Sequence, residues 1–160
     1  MSRDPVGLYL HIPFCKEKKC PYCDFYSLPY CDSLADDYTQ ALSRAIRSQP
    51  FGSLEVDTVY FGGGTPSYYG QKFLCELLST VKKQFRVDKN AEITGEANPD
   101  SVDLKPLKKL RKAGFNRISM GMQSACEQEL ASIARPHTAA QAVQAAADAR
   151  GAKFTNLTLD

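Results

Sequence analysis

An α/β domain built on a parallel sheet is predicted for this chain, from three features of its sequence. Strand-like and helix-like segments alternate along it. Polar and glycine-rich residues collect where the strand-like segments end. Three of the six cysteines crowd into the stretch from Cys15 to Cys23, directly after the first strand.

Taken in order, Val6–Ile12 reads as a strand and Leu34–Ile46 as a helix behind the N-cap candidates Asp32 and Ser33. Val56–Phe61 is a second strand, closed by Gly62-Gly63-Gly64-Thr65-Pro66. The helix after it carries Leu74, Leu77, Leu78, Val81 and Phe85 on one face. Ala91–Ala97 is a third strand, and Leu104–Ala113 a third helix that stops at Gly114. Asn116–Met122 is a fourth strand. Ser124-x-x-Glu127 and Thr138-x-x-Gln141 read as capping boxes that open the next helices, and Phe154–Asp160 is a fifth strand.

Side chains alternate along a strand, so Glu92, Thr94, Glu96 and Asn98 share one face. Arg117, Ser119, Gly121 and Gln123 share another, as do Asn156, Thr158 and Asp160, and Tyr9 with His11. In parallel α/β sheets and barrels, ligands bind at the C-terminal ends of strands. All five strands deliver polar or glycine-rich chemistry there, which places a site at that end.

Composition narrows the function classes. The chain has 160 residues, 43% apolar and 24% charged, which suits a soluble globular domain rather than a disordered one. A net charge of +2 argues for neither nucleic-acid nor membrane partners. Lys105, Lys108, Lys109, Arg111 and Lys112 interleave with Leu104, Leu107 and Leu110, as on the solvated face of an amphipathic helix. No run approaches the ~20 apolar residues of a membrane span. The single Arg3 ahead of a short strand does not make a secretory signal. The expected compartment is the cytoplasm, where thiols stay reduced and clustered cysteines point to a metal. Cys15, Cys20 and Cys23 suit an iron–sulfur cluster with one open iron. A zinc site that takes Cys31 as fourth ligand fits the spacing equally well. Cys75 and Cys126 read as small core residues.

The neighbouring motifs separate these readings. They are Tyr9-x-His11-Ile12-Pro13-Phe14-Cys15, Cys20-Pro21-Tyr22-Cys23-Asp24-Phe25, Gly62-Gly63-Gly64-Thr65-Pro66-Ser67, Glu96-Ala97-Asn98-Pro99, Asn116-Arg117-Ile118-Ser119-Met120-Gly121-Met122-Gln123-Ser124 and Arg135-Pro136-His137. In this order they resemble the radical S-adenosylmethionine (SAM) superfamily, in the branch of oxygen-independent coproporphyrinogen III oxidase and the haem chaperone HemW. The resemblance implies a partial (β/α) barrel, cut after its fifth strand. Residues 1–160 would be the N-terminal part of the core domain, without a sixth strand or C-terminal domain. It implies that Cys15, Cys20 and Cys23 ligate a [4Fe–4S] cluster whose open iron is chelated by the amino and carboxylate groups of SAM. Tyr9 and Tyr22 would contact SAM, and Gly63, Gly64 and Thr65 would receive its methionine end. Glu96, Gln123, Arg135 and Asp160 would complete the pocket, with Arg135 suited to a carboxylate. His11 would orient the cluster region or serve the strand end. The implied chemistry is reductive cleavage of SAM, fed by an electron donor such as flavodoxin or ferredoxin, with haem or a porphyrinogen as partner.

Two positions depart from the pattern. Four residues, Lys16-Glu17-Lys18-Lys19, separate Cys15 from Cys20 where the family has three. The extra residue adds about 3.3 Å of reach, which a loop can absorb as a bulge. Phe25 stands where the oxidase carries a further cysteine, so the HemW-like subgroup is the better match.

Overall fold

The structure, a computed structural model, describes residues 5–16, 19–51 and 53–160. Glu17 and Lys18 of the cysteine spacer, and Arg3, lie outside the described residues. The chain opens with β1 (Val6–Ile12), followed by β2 (Phe14–Cys15) and β3 (Leu28–Pro29). Next come α1 (Asp32–Arg47), β4 (Glu55–Gly63), α2 (Pro66–Tyr69), α3 (Gln71–Gln84) and β5 (Arg86–Ala97). A 3₁₀ turn (Pro99–Ser101) leads to α4 (Leu104–Ala113), β6 (Arg117–Met120), α5 (Glu127–Ser132), α6 (Ala139–Gly151) and β7 (Asn156–Leu159).

Five strands form one parallel sheet in the order β1-β4-β5-β6-β7, so each main strand lies beside its predecessor. A helix returns the chain between each pair, and α1, α3, α4 and α6 pack side by side in the same sequence. Leu10, Ile12, Val59, Phe61, Ile93 and Ile118 face these helices and meet Leu77, Leu78, Leu107, Leu110, Ala145 and Ala149 in one buried core. Phe61 and Phe115 pack with ring centroids 5.0 Å apart. Each such large apolar side chain contributes about 2 kcal/mol by leaving water.

The opposite face of the sheet is polar. Tyr9, Tyr60, Thr94, Arg117 and Asn156 stand in one cross-strand row. Arg117 donates to Thr94 Oγ1 at 3.2 Å and to Thr158 Oγ1 at 3.1 Å, and lies 3.7 Å from the Glu92 carboxylate. Asn156 Nδ2 donates to Glu92 Oε2 at 3.1 Å. Apolar residues on one parity and polar residues on the other thus produce a sheet with helices outside and hydrogen-bonding groups inside, the arrangement of an open (β/α) barrel.

Several local expectations change. α1 begins at Asp32, and its N-cap is Cys31, with no side-chain cap bond. Asp32 instead accepts from Tyr30 Oη at 2.8 Å, and Ser33 Oγ lies 3.3 Å from Cys31 Sγ, so neither caps the helix. Thr138 and Gln141 do form a capping box. Ser124 and Glu127 do not: Glu127 accepts from the Ala139 amide, while Ser124 Oγ bonds the Glu129 carboxylate. β5 starts at Arg86, five residues early, because Val87 pairs with Val56 before a bulge carries the polar run Asp88-Lys89-Asn90. β6 is shorter than expected because the chain turns at Gln123, which has φ 67°. Cys75 packs against the core as expected, whereas Cys126 is exposed at the start of α5, a helix that buries only Leu130.

Candidate cofactor site

β1 ends in Ile12-Pro13, and the chain then doubles over the end of β4. Gly64 N donates to Ile12 O at 2.8 Å, and Thr65 N donates to Phe14 O at 2.7 Å. These bonds extend the ladder beyond the strands and bring Cys15 beside Thr65, with Cys15 Sγ 4.0 Å from Thr65 Oγ1. The glycines are what permit this approach. A Cβ on Gly64 would stand 2.6 Å from the Phe14 carbonyl oxygen, and one on Gly63 would stand 2.7 Å from the His11 ring. Gly63 also has φ 119°, which disfavours any other residue.

Cys20 and Cys23 sit on a tight turn closed by Cys23 N donating to Cys20 O at 3.0 Å. Arg135 reaches this turn from the loop after α5, donating from Nη1 to Cys20 Sγ at 3.6 Å. Its Nη2 donates to Asn98 Oδ1 at 3.0 Å and to the Gly121 carbonyl. Tyr22 Oη donates to Gln123 Oε1 at 3.0 Å, tying the cysteine turn to the end of β6. Gln123 N in turn donates to Asp160 O at 2.7 Å, and Ser119 Oγ donates to Asp160 Oδ2 at 3.3 Å. Glu96 accepts from Tyr60 Oη at 2.6 Å and from Gly63 N at 3.1 Å. Burial and the Glu96 carboxylate push the Tyr60 hydroxyl well above its ordinary pKa, so it remains a donor.

These contacts enclose a cavity of about 320 Å³ at the C-terminal ends of the strands. Cys15, Cys20, Tyr22, Cys23, Gly63, Gly64, Thr65, Glu96, Gln123, Arg135 and Asp160 all line it. Of the expected residues only Tyr9 stays outside. It is stacked on Tyr60 with ring centroids 6.0 Å apart, and its Oη lies 3.2 Å from His11 Nδ1. His11 Nε2 donates to Tyr26 O at 3.0 Å, so its ring supports the strand end. Cys31, the fourth ligand of the zinc alternative, does not line the cavity. Asp24, Asn98, Ser119 and Gly121 also face the cavity. Asn98 and Ser119 were legible as strand-end polar residues, and Asp24 as part of the cysteine motif, though no role was assigned to it.

The lining suits a zwitterionic, hydroxyl-rich ligand beside a soft metal. Three carboxylates, from Asp24, Glu96 and Asp160, share it with the Arg135 guanidinium. Arg135 Nε is buried and has no partner among the described residues, which leaves a donor for an anionic group. The thiols of Cys15, Cys20 and Cys23 are free and suit iron. Among the described residues, no three His, Cys, Asp or Glu side chains already stand at mutual metal-binding distance. The donor set therefore fits a cluster in kind and location, and its loading requires the thiols to draw together.

Such a molecule is a parallel α/β partial barrel whose open end holds a thiol-bearing, glycine-cradled ligand cavity. The Radical SAM superfamily model matches residues 9–160. The heme chaperone HemW of Mycobacterium tuberculosis is 38% identical over 164 residues, covering 100% of this chain and 42% of its own length. The oxygen-independent coproporphyrinogen III oxidase of Salmonella typhimurium is 35% identical over 121 residues, covering 74% of this chain and 26% of its own. The solved coproporphyrinogen III oxidase (HemN) of Escherichia coli, a radical SAM enzyme, superposes with a TM-score of 0.89 at 31% identity, covering 98% of this chain and 36% of that one. The chain belongs to the radical SAM superfamily, and it spans less than half the length of these relatives. No helix among the described residues is long and apolar enough to cross a membrane.

Proposed function

We propose that this chain is the cluster- and SAM-binding part of a HemW-like protein of haem metabolism, working in the cytoplasm. The observation that carries the reading is the convergence of three thiols, three glycines, three carboxylates and one guanidinium on a single cavity at the strand ends. Cys15, Cys20 and Cys23 would hold a [4Fe–4S] cluster. The chemistry such a cluster would supply is one-electron reduction of the SAM sulfonium, with flavodoxin or ferredoxin as the class of electron donor. The chain's own residues bind and orient. Arg135 offers its unpartnered Nε to the SAM carboxylate. Glu96 and Asp160 would serve the ribose or the sulfonium, and Tyr22 and Gln123, bonded to each other, would close the rim.

Anaerobic reconstitution tests this directly. About four irons and four sulfides per chain, with an EPR signal that shifts on adding SAM, are expected. Stoichiometric zinc, or no metal and no response to SAM, would overturn the reading. A second reading, an oxygen-independent coproporphyrinogen III oxidase, is favoured by the likeness to the Salmonella and Escherichia coli enzymes. Phe25, exposed at the cavity rim where that enzyme carries a cysteine, weighs against it. Anaerobic incubation with coproporphyrinogen III separates the two: haem binding without protoporphyrinogen formation supports the chaperone.

A further inference from the structure

Asn98 has no role in the reading above, yet it stands between two of the three thiols. Its side-chain amide is a donor at one end and an acceptor at the other, and both ends are used. Asn98 Nδ2 donates to Thr65 Oγ1 at 3.4 Å, and that hydroxyl lies 4.0 Å from Cys15 Sγ. Asn98 Oδ1 accepts from Arg135 Nη2 at 3.0 Å, and Arg135 Nη1 donates to Cys20 Sγ at 3.6 Å. One amide therefore bridges Cys15 and Cys20 through one residue on each side.

The backbone makes Asn98 a firm anchor. It follows β5 directly, its backbone N donates to Ser67 Oγ at 3.2 Å and to Ser101 Oγ at 3.1 Å, and its carbonyl accepts from Ser101 N at 3.0 Å. Gly121 keeps the space clear: a Cβ there would meet Arg135 Nη2 at 3.1 Å and Asn98 Oδ1 at 3.2 Å. Donors aimed at cluster sulfurs stabilise the more negative, reduced state and raise its potential, and a charged donor does so most strongly.

We propose that Asn98 is a positioning residue, holding Thr65 against Cys15 and Arg135 against Cys20, and so tuning the reduction potential of the cluster that those thiols ligate. This rests on the cluster-binding reading above.

The test is an EPR-monitored redox titration of the reconstituted full chain without SAM, on the parent, Asn98→Asp and Asn98→Ser. Aspartate keeps the acceptor for Arg135, loses the donor to Thr65 and adds a negative charge. Serine reaches neither partner, and in both variants the backbone bonds to Ser101 remain. Both variants should shift the potential downward. For Asn98→Asp the ratio of reduced to oxidised cluster at fixed potential should fall about tenfold, or about 59 mV for one electron. A variant with native circular dichroism that no longer retains iron supports the same role. Unchanged potentials overturn it, and so does a shift in Asn98→Asp with none in Asn98→Ser, which would be charge alone. A parent chain that takes up no cluster refutes the functional reading instead.

Discussion

At Gly64 the requirement for glycine comes from the chain that lies over it. Besides the carbonyl oxygen of Phe14, its carbon and nitrogen would stand 2.8 and 2.9 Å from an added Cβ, and backbone cannot rotate away. Gly64→Ala should cost about 1–3 kcal/mol in urea unfolding and should reduce iron uptake, because Cys15 moves with Phe14. His137 makes a different prediction. It is 3% exposed, its Nε2 donates to Met122 O at 2.9 Å, and Nδ1 has no partner among the described residues. Burial is the largest cause and lowers its pKa; the bond to Met122 O opposes it, the Arg135 charge adds to it, and the Asp100 and Glu127 carboxylates oppose it more weakly. A base with a lowered folded pKa contributes stability that is complete above its ordinary pKa of about 6.5 and is lost as pH falls below it. Unfolding free energy should therefore drop between pH 7.5 and 5.5, and His137→Gln should flatten that part of the profile.

The elements explain which parts of the site could be read in advance. β1 and α4 have the boundaries that their periodicity and Gly114 predict, and Gly114 caps α4 at φ 117°. Strand-face alternation placed Glu96, Gln123 and Asp160 at one end of the sheet, because residues of equal parity must share a face. What could not be read was set by tertiary contacts. Cys31 caps α1 because Tyr30 takes the Asp32 carboxylate, and Tyr9 is held out of the cavity by stacking on Tyr60. The pairing of β2 with β3 was equally silent, since two-residue strands have no periodicity. It fixes the start of the cysteine loop, with Tyr30 N donating to Cys15 O at 2.7 Å. Cys15 is thus a fixed point, and the number of residues between it and Cys20 bears on where Cys20 and Cys23 can stand. Deleting Lys19 should raise the fraction of chains that retain a cluster after gel filtration; equal retention would mean the longer spacer has no effect.

Across the whole molecule, the covered and open sides of the sheet have opposite chemistry, and the sheet has two edges. β7 pairs only with β6 among the described strands, and Leu159 on it is 44% exposed. An unpaired parallel edge with an apolar side chain recruits further strands. Sedimentation at rising concentration should reveal self-association, and Leu159→Lys should suppress it without altering the circular dichroism spectrum. The order of the walls around the cavity carries a consequence for biosynthesis. Cys15, Cys20 and Cys23 belong to its first wall, and Asp160 to its last. At about 5–20 residues per second, a ribosome needs roughly 7–30 s to travel from Cys23 to Asp160. For most of that interval the nascent thiols stand without Gln123 and Arg135, and for all of it without Asp160, so that side of the cavity closes last. Slower synthesis therefore lengthens the time for which three thiols of one cavity are exposed before its other walls exist.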